Sequence, residues 1–118
     1  MSHESTLRTF YTALNEKDAS TLDDLLADDV VFHILPNPVL PAGTITGRPS
    51  VLKYVKDTME SLEIQQDIDE ISVNGDFATV YVASKHTAPD GAEHAIRWAD
   101  LVRFEGNRVR EAVSLFVT

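Results

Sequence analysis

The sequence predicts an α+β fold in which helices pack on one face of a curved, mostly antiparallel sheet. Apolar residues recur at helical spacing in residues 4–15, 20–27 and 49–62, whereas period-two alternation dominates the rest of the chain. The turn sequences "NGD", "PDG" and "EGN" separate the later strands. Helices followed by a run of antiparallel strands are typical of α+β proteins. With 118 residues, of which 43% are hydrophobic, we expect residues 1–118 to form a single domain.

Two helices are predicted before the first strand. The first covers residues 4–15, and its apolar stripe consists of Leu7, Phe10, Tyr11 and Leu14. Ser20 and Asp23 form a candidate capping box, which predicts a second, short helix that ends near Ala27.

The middle of the chain predicts a strand, a loop and a third helix. Residues 28–35, "DDVVFHIL", change to period two and predict the first strand. Residues 36–47 contain three of the five prolines and two of the five glycines, so they predict a long irregular loop that borders a site. The third helix starts at Pro49, and its apolar face consists of Val51, Leu52, Val55, Met59 and Leu62.

The remaining segments, residues 63–73, 77–88, 93–104 and 108–118, predict four strands, of which the last three form a meander. A hairpin centred on Asp90 pairs Val80 with Asp100 and Val82 with Trp98.

The register of the final hairpin is open. A three-residue "EGN" loop would pair Ala112 with Asp100 and Ser114 with Trp98. A two-residue loop would place Val113 beside Asp100 instead.

Asp100 is the candidate functional residue because it shares a strand face with Trp98, Val102 and Phe104. An unpaired charge on such a face costs several kcal/mol, or the carboxyl takes up a proton. We therefore expect a pocket beside Asp100, with this carboxyl as an acid or a base. The alternative is a structural carboxylate that is satisfied by backbone donors or by a neighbouring arginine such as Arg110.

The opposite face of the same strands is too apolar for bulk water, although Arg97 and Arg103 interrupt it. Helices can cover only one side of the sheet, so a second subunit is expected to cover this outer face in a homodimer. With the three-residue loop, the face consists of Tyr81, Ala83, Ala99, Leu101, Val113, Leu115 and Val117.

Composition and missing motifs argue against several classes of protein. The formal charge of −9 disfavours nucleic acid and anionic membranes as partners. The absence of cysteine and of an apolar leader or membrane span predicts a cytoplasmic protein without disulfides. His86 faces His94 across a hairpin, but no third ligand is evident, and no nucleotide-binding motif occurs. We therefore expect neither a metal nor a cofactor.

The segments "FYTALNEKDASTLDDLLADDVVFHILPN", "GRPSVLKYV" and "RWADLVRFEGNRVREAVSLF" resemble the SnoaL-like and ketosteroid isomerase-like branches of the nuclear transport factor 2-like superfamily. The resemblance covers nearly the whole chain. It implies a cone-shaped α+β barrel, in which three N-terminal helices close a highly curved sheet over a hydrophobic pocket, commonly in a dimer. The superfamily hosts isomerases, cyclases, dehydratases, epoxide hydrolases and non-catalytic binders, so fold alone does not give function.

The resemblance also implies roles for individual residues. Asp100 matches the aspartic acid that ketosteroid isomerases keep protonated to stabilise an oxyanion. The oxyanion tyrosine of that family falls on Phe10, with Tyr11 next to it, and the general-base aspartate falls on Ile34. SnoaL-like cyclases resemble the chain better here, because they frequently carry a histidine in the first strand. His33 would then partner Asp100, provided that it points inward.

The sequence thus predicts a cofactor-independent acid/base enzyme, of isomerase, cyclase or dehydratase type, for a small lipophilic carbonyl compound. Asp100 and His33 are the predicted catalytic residues. The alternative is a non-catalytic ligand-binding or dimeric interaction protein of the same fold. The predicted substrate-binding residues are Phe10, Tyr11, Tyr54, Trp98, Val102, Ala112, Ser114 and Phe116.

Overall fold

The computed structural model describes residues 2–61 and 63–118, which form an α+β fold of three helices and six strands. None of the helices in this described part combines the length and the apolar character that are needed to cross a bilayer. The elements, in chain order, are α1 (His3–Glu16), α2 (Ala19–Leu25), β1 (Leu26–Ile34), β2 (Gly43–Thr46), α3 (Arg48–Ser61), β3 (Glu63–Asn74), β4 (Phe77–Thr87), β5 (Glu93–Glu105) and β6 (Arg108–Phe116).

The six strands form one mostly antiparallel sheet in the order β2-β1-β6-β5-β4-β3. Only the β1–β6 pair is parallel, because the chain returns from the far edge of the sheet to lie beside its first strand. Two helices, not three, precede the first strand, and α3 follows β2. The expectation of three N-terminal helices is corrected in this respect. Leu62, which was assigned to the apolar face of the third helix, lies outside the described residues.

The ends of the early elements differ from the prediction by a few residues. The N-cap of α2 is Asp18 rather than Ser20, and its carboxylate accepts a hydrogen bond from the Thr21 amide at 3.1 Å. An aspartate caps a helix as well as a serine does, so the capping box was not needed. The helix ends at Leu25, and β1 starts at once at Leu26.

Part of the predicted loop is a strand. Residues 43–46 form β2, which pairs with β1 so that Ile45 lies opposite Phe32. The sequence did not predict this four-residue strand, because glycines and prolines flank it and it is too short for a clear alternating pattern. Its stability comes from pairing with β1.

The hairpin registers are confirmed in one case and corrected in the other. Val80 lies opposite Asp100 as predicted. In the last hairpin, however, Asp100 lies opposite Ser114, and neither Ala112 nor Val113 takes that position. The turn itself is the two-residue type, and an irregularity between Arg103 and Phe104 then shifts the pairing by one residue. This irregularity keeps the even-numbered residues of both strands on one face.

One face of the sheet packs against the helices and forms the hydrophobic core. Inward-facing side chains alternate along the strands, for example Phe32 and Ile34 on β1 and Val80 and Val82 on β4. They pack against α1 and α3, among whose buried residues are Leu7 and Val51. The phase of this alternation decides which polar side chains face the interior.

A polar contact fixes α1 to the edge of the sheet. The Asn15 side chain donates to the Gln66 carbonyl at 2.8 Å and accepts from the Gln66 amide at 2.7 Å. Because β3 is an edge strand, Asn15 satisfies backbone groups that a further strand would otherwise pair.

We expect Asn15→Ala to lower the free energy of unfolding by about 1–3 kcal/mol, since both backbone groups of Gln66 lose a partly buried partner. Urea unfolding followed by circular dichroism measures this difference. Glu16→Ala, at an exposed neighbouring position of the same helix, is the matched control and should change stability by less than about 0.5 kcal/mol. Equal effects of the two substitutions would contradict this role of Asn15.

Candidate functional site

A cavity of about 90 Å³ lies between the helices and the inner face of the sheet. Its walls come from α1, α3, the segment that precedes β2, and every strand except β2. A smaller void of about 40 Å³ lies next to it, deeper under α1. Asp100 borders both.

Asp100 is held on β5 by its strand neighbours and is contacted from α1. Its Oδ2 accepts a short hydrogen bond from the Tyr11 hydroxyl. Its Oδ1 is buried and has no hydrogen-bond partner among the described residues. The suggested structural partner, Arg110, lies instead on the solvent side, 3.5 Å from both Asp29 and Glu105. One oxygen of the Asp100 carboxyl is therefore held by Tyr11, and the other has no partner among the described residues.

The environment shifts the pKa values of both members of this pair. Burial raises the pKa of Asp100 to about 6, although the hydroxyls of Tyr11 and Ser114 act in the lowering direction. Burial, and then the charge of Asp100 and the hydrogen bond to it, raise the pKa of Tyr11 well above its ordinary value. Tyr11 thus stays a protonated donor, while Asp100 titrates close to neutral pH.

Tyr11, rather than the neighbouring Phe10, supplies a hydroxyl group at this site. The oxyanion tyrosine of ketosteroid isomerases was aligned with Phe10, yet it is the hydroxyl of Tyr11 that reaches Asp100. Phe10 packs edge-on against the Tyr11 ring and lines the cavity wall. Ile34, aligned with the general-base aspartate, also lines the cavity and offers no polar group there.

The structure brings most of the predicted wall residues together. Phe10, Tyr11, Tyr54, Trp98 and Ser114 line the larger cavity. Val102 and Ala112 border the smaller void, together with residues that line both spaces.

Phe116 does not line either space. Its ring packs edge-on against Trp98 at a centroid distance of 6.2 Å, and 39% of the residue is exposed. It is the last residue of β6 and lies opposite Trp98 on β5.

His33 is directed away from the cavity. Its Nε2 lies 3.1 Å from Glu111 Oε2, and its Nδ1 lies 3.2 Å from Thr44 Oγ1. Alternation on β1 turns Phe32 and Ile34 inward, so the residue between them takes the opposite face. The predicted pairing of His33 with Asp100 is therefore wrong in its geometry.

A different histidine borders the cavity. His86 is buried on β4 and lines the same space as Asp100. Its Nε2 lies 2.8 Å from the Ser84 hydroxyl, which also accepts a hydrogen bond from Trp98 Nε1 at 2.8 Å. Burial, and secondarily His94, lower the pKa of His86, so its ring is neutral at physiological pH.

The sequence contained the signal for His86. Alternation along β4 places His86 on the face of Val80, which lies opposite Asp100, whereas the sequence pattern indicated only a contact between His86 and His94. Within residues 2–61 and 63–118, no group of three histidine or carboxylate side chains could hold a metal ion. Thr58 and Gln66 are further polar residues of the cavity wall that the sequence did not single out.

Comparisons with known proteins agree with this architecture. The sequence profile of the SnoaL-like domain matches residues 7–112. No curated protein sequence matches the chain. An NTF2-like protein of unknown function from Burkholderia pseudomallei is 24% identical, with a TM-score of 0.87 over 99% of this chain and 92% of that one.

Two further solved structures share the fold. IdmH from Streptomyces antibioticus, a candidate polyketide cyclase, is 21% identical, with a TM-score of 0.83 over 98% of this chain and 92% of that one. TerC, crystallised with polyporic acid, is 13% identical, with a TM-score of 0.85 over 98% and 91% of the two chains. At these identities the likeness shows a common fold. Because the domain profile spans nearly the whole sequence, the chain belongs to the SnoaL-like domain family.

Proposed function

We propose that residues 1–118 form a single cone-shaped domain that catalyses proton transfer on a small lipophilic carbonyl compound without a cofactor. One observation carries this proposal: a buried carboxyl with a pKa of about 6 borders a mainly apolar cavity and has an oxygen without a partner among the described residues. A strongly perturbed acid in an apolar cleft is typical of a reactive group.

The roles of the two hydrogen-bonded residues follow from their pKa values. With a pKa of about 6, Asp100 is mostly ionised at pH 7.5 and can accept a proton from a carbon next to a carbonyl group. The electron pair of the broken C–H bond then forms the enolate, and the proton on Asp100 can return to the same or to another carbon. Tyr11 stays protonated and holds Oδ2, so Oδ1 is the oxygen left to accept the proton.

The family fold and the cavity support isomerase, cyclase and dehydratase chemistry equally, because each begins with such a proton transfer. IdmH, a candidate polyketide cyclase, and TerC, which was crystallised with polyporic acid, share the fold. The apolar wall would exclude water and so strengthen the polar contacts to the substrate.

Hydrogen exchange in D₂O tests proton abstraction before the natural substrate is known. We expect the protein to accelerate deuterium incorporation next to the carbonyl group of small ketones such as cyclohexanone and acetophenone, measured by mass spectrometry. Asp100→Asn should reduce this rate by about 10²–10⁴-fold, because a general base contributes that much. Glu105→Gln, on the solvent side, is the control and should exchange at the wild-type rate. Equal rates in wild type and Asp100→Asn would contradict the proposal.

A second candidate is a non-catalytic binder of a hydrophobic ligand. It is favoured by the apolar Ile34 where a related enzyme has its base, and by the mainly aromatic and aliphatic wall. Ketones that bind with measurable affinity but show no exchange above the rate in buffer would select this candidate.

We also propose that the outer face of the sheet forms a homodimer. Tyr81, Leu101 and Val117 expose 47%, 42% and 52% of their surfaces on this face. An apolar face of this kind is covered most simply by the same face of a second copy, related by a two-fold axis.

We expect Leu101→Lys to convert the dimer to a monomer, because it would place a charge in the desolvated centre of the interface. Sedimentation velocity measures the change. Leu101→Met keeps an apolar side chain of similar volume and should remain dimeric. A wild-type protein that sediments as a monomer at all accessible concentrations would contradict the proposal.

A further inference from the structure

A buried chain of hydrogen bonds leads to His86 at the cavity wall. Trp98 Nε1 donates to Ser84 Oγ at 2.8 Å, and Ser84 Oγ lies 2.8 Å from His86 Nε2. All three residues are buried, with 4%, 4% and 1% of their surfaces exposed. The register explains the arrangement, because Ser84 and His86 share one face of β4. Trp98, on β5, is the diagonal neighbour of Ser84.

The protons of this chain can be arranged in two ways, which differ in the tautomer of His86. The indole nitrogen can only donate, so it occupies one lone pair of the Ser84 oxygen. The single Ser84 proton then has two acceptors within reach: His86 Nε2 at 2.8 Å and the Ile96 carbonyl at 3.4 Å. A donor–acceptor distance of 2.8 Å is close to the optimum, whereas 3.4 Å gives a weak bond. When the hydroxyl donates along the shorter contact, to His86 Nε2, the ring proton of neutral His86 lies on Nδ1.

In the alternative tautomer the Ser84 proton has only the more distant acceptor. With the ring proton on Nε2, His86 would donate to Ser84, and the Ser84 proton could reach only the Ile96 carbonyl at 3.4 Å. Nδ1 is buried and has no hydrogen-bond partner in the part of the chain that the structure describes. It is thus the ring nitrogen left for a ligand, and its tautomer decides whether it offers a proton or a lone pair.

We propose that Trp98 and Ser84 are positioning residues that hold His86 as the Nδ1–H tautomer, so that it donates a hydrogen bond to an oxygen of the bound ligand. This inference rests on the proposed function and deepens it. The cavity would hold a base, Asp100, and a separate neutral donor, His86. The fitting substrates are compounds whose carbonyl oxygen accepts from His86 and gains charge as Asp100 removes a proton. The lowered pKa of His86 supports this role, because a neutral ring carries one proton only.

The tautomer can be measured in the ligand-free protein. Long-range ¹H–¹⁵N correlation spectra of ¹⁵N-labelled protein distinguish a protonated from an unprotonated ring nitrogen, and His86→Gln identifies the signals of His86. We expect wild-type His86 to show a protonated Nδ1 and an unprotonated Nε2. A protonated Nε2 in the wild type would overturn the inference without reference to any variant.

Two variants at position 84 separate positioning from packing. Ser84→Ala removes the hydroxyl and should abolish the preference for Nδ1–H, whereas Ser84→Thr keeps the hydroxyl and should retain it. In the ketone exchange assay, Ser84→Ala should be roughly tenfold slower than Ser84→Thr, which corresponds to one hydrogen bond. An unchanged tautomer in Ser84→Ala would overturn the role of Ser84.

The two proposals fail in different measurements. If His86 has the expected tautomer but no ketone shows exchange that depends on Asp100, the positioning of His86 stands and the proposed reaction is contradicted. If exchange depends on Asp100 but His86 carries its proton on Nε2, the reaction stands and the positioning of His86 is contradicted.

Discussion

Replacing Asp100 with asparagine is expected to stabilise the folded protein by about 3 kcal/mol at pH 7.5 and to leave its stability nearly unchanged at pH 4. Burial raises the pKa of this carboxyl from 3.8 to about 6 in the folded state. The folded protein therefore binds more protons than the unfolded chain between these two values. The free energy of unfolding of the wild type therefore falls as the pH rises between these two values. That of Asp100→Asn does not, because asparagine does not ionise.

Urea unfolding of both proteins at a series of pH values measures this prediction. The difference between variant and wild type should grow from about pH 4 to about pH 6 and then stay constant. A difference that is the same at pH 4 and pH 7.5 would show that burial does not raise the pKa of Asp100.

Tyr11→Phe is the informative companion variant. It removes the hydrogen bond that lowers the pKa of Asp100, so the pH-dependent window should extend to higher pH. In the exchange assay, the rate of a base with this pKa should rise with pH and level off above about pH 6 in the wild type. The same midpoint should move upward in Tyr11→Phe.

Leu7→Ala is expected to lower the free energy of unfolding by about 2–5 kcal/mol. Only 1% of Leu7 is exposed, and its side chain borders the smaller void under Asp100. The substitution removes buried apolar surface and enlarges a void that already exists. Neighbouring side chains cannot repack to fill the larger space, so the cost of the cavity remains. Denaturant unfolding at constant pH measures the loss.

Leu35→Ala is the matched control, because it makes the same chemical change at a residue with 37% exposure. Its cost should stay below about 1 kcal/mol. Equal losses in the two variants would show that Leu7 is not part of a closely packed core.

The alternation of residues along the strands was sufficient to predict the central feature of the site. Trp98, Asp100 and Val102 share the inner face, and the turn at Asp90 was enough to place Val80 opposite Asp100. Both features are local, since a strand turns alternate side chains to opposite faces and a tight turn fixes the register of its hairpin. The helical stripe of α1 likewise follows from spacing alone.

Contacts between distant elements were not available from such patterns. Tyr11 meets Asp100 across 89 residues of sequence, and this contact depends on how α1 is rotated against the sheet. Ser114 lies opposite Asp100 because of an irregularity near the last turn, which no turn sequence specified. The sequence did not show which face of β1 is buried. In the structure, packing places Phe32 and Ile34 inward and His33 outward.

By itself, the sequence determined the α+β class, the order of its main elements and a carboxylate on an apolar strand face, because local spacing and turn chemistry encode these features. The tertiary structure alone decided which side chains meet that carboxylate: Tyr11 from a distant helix, and His86 in place of His33 at the cavity wall. The physical reason is that helix rotation and strand irregularities are chosen by close packing of the whole core, to which every element contributes.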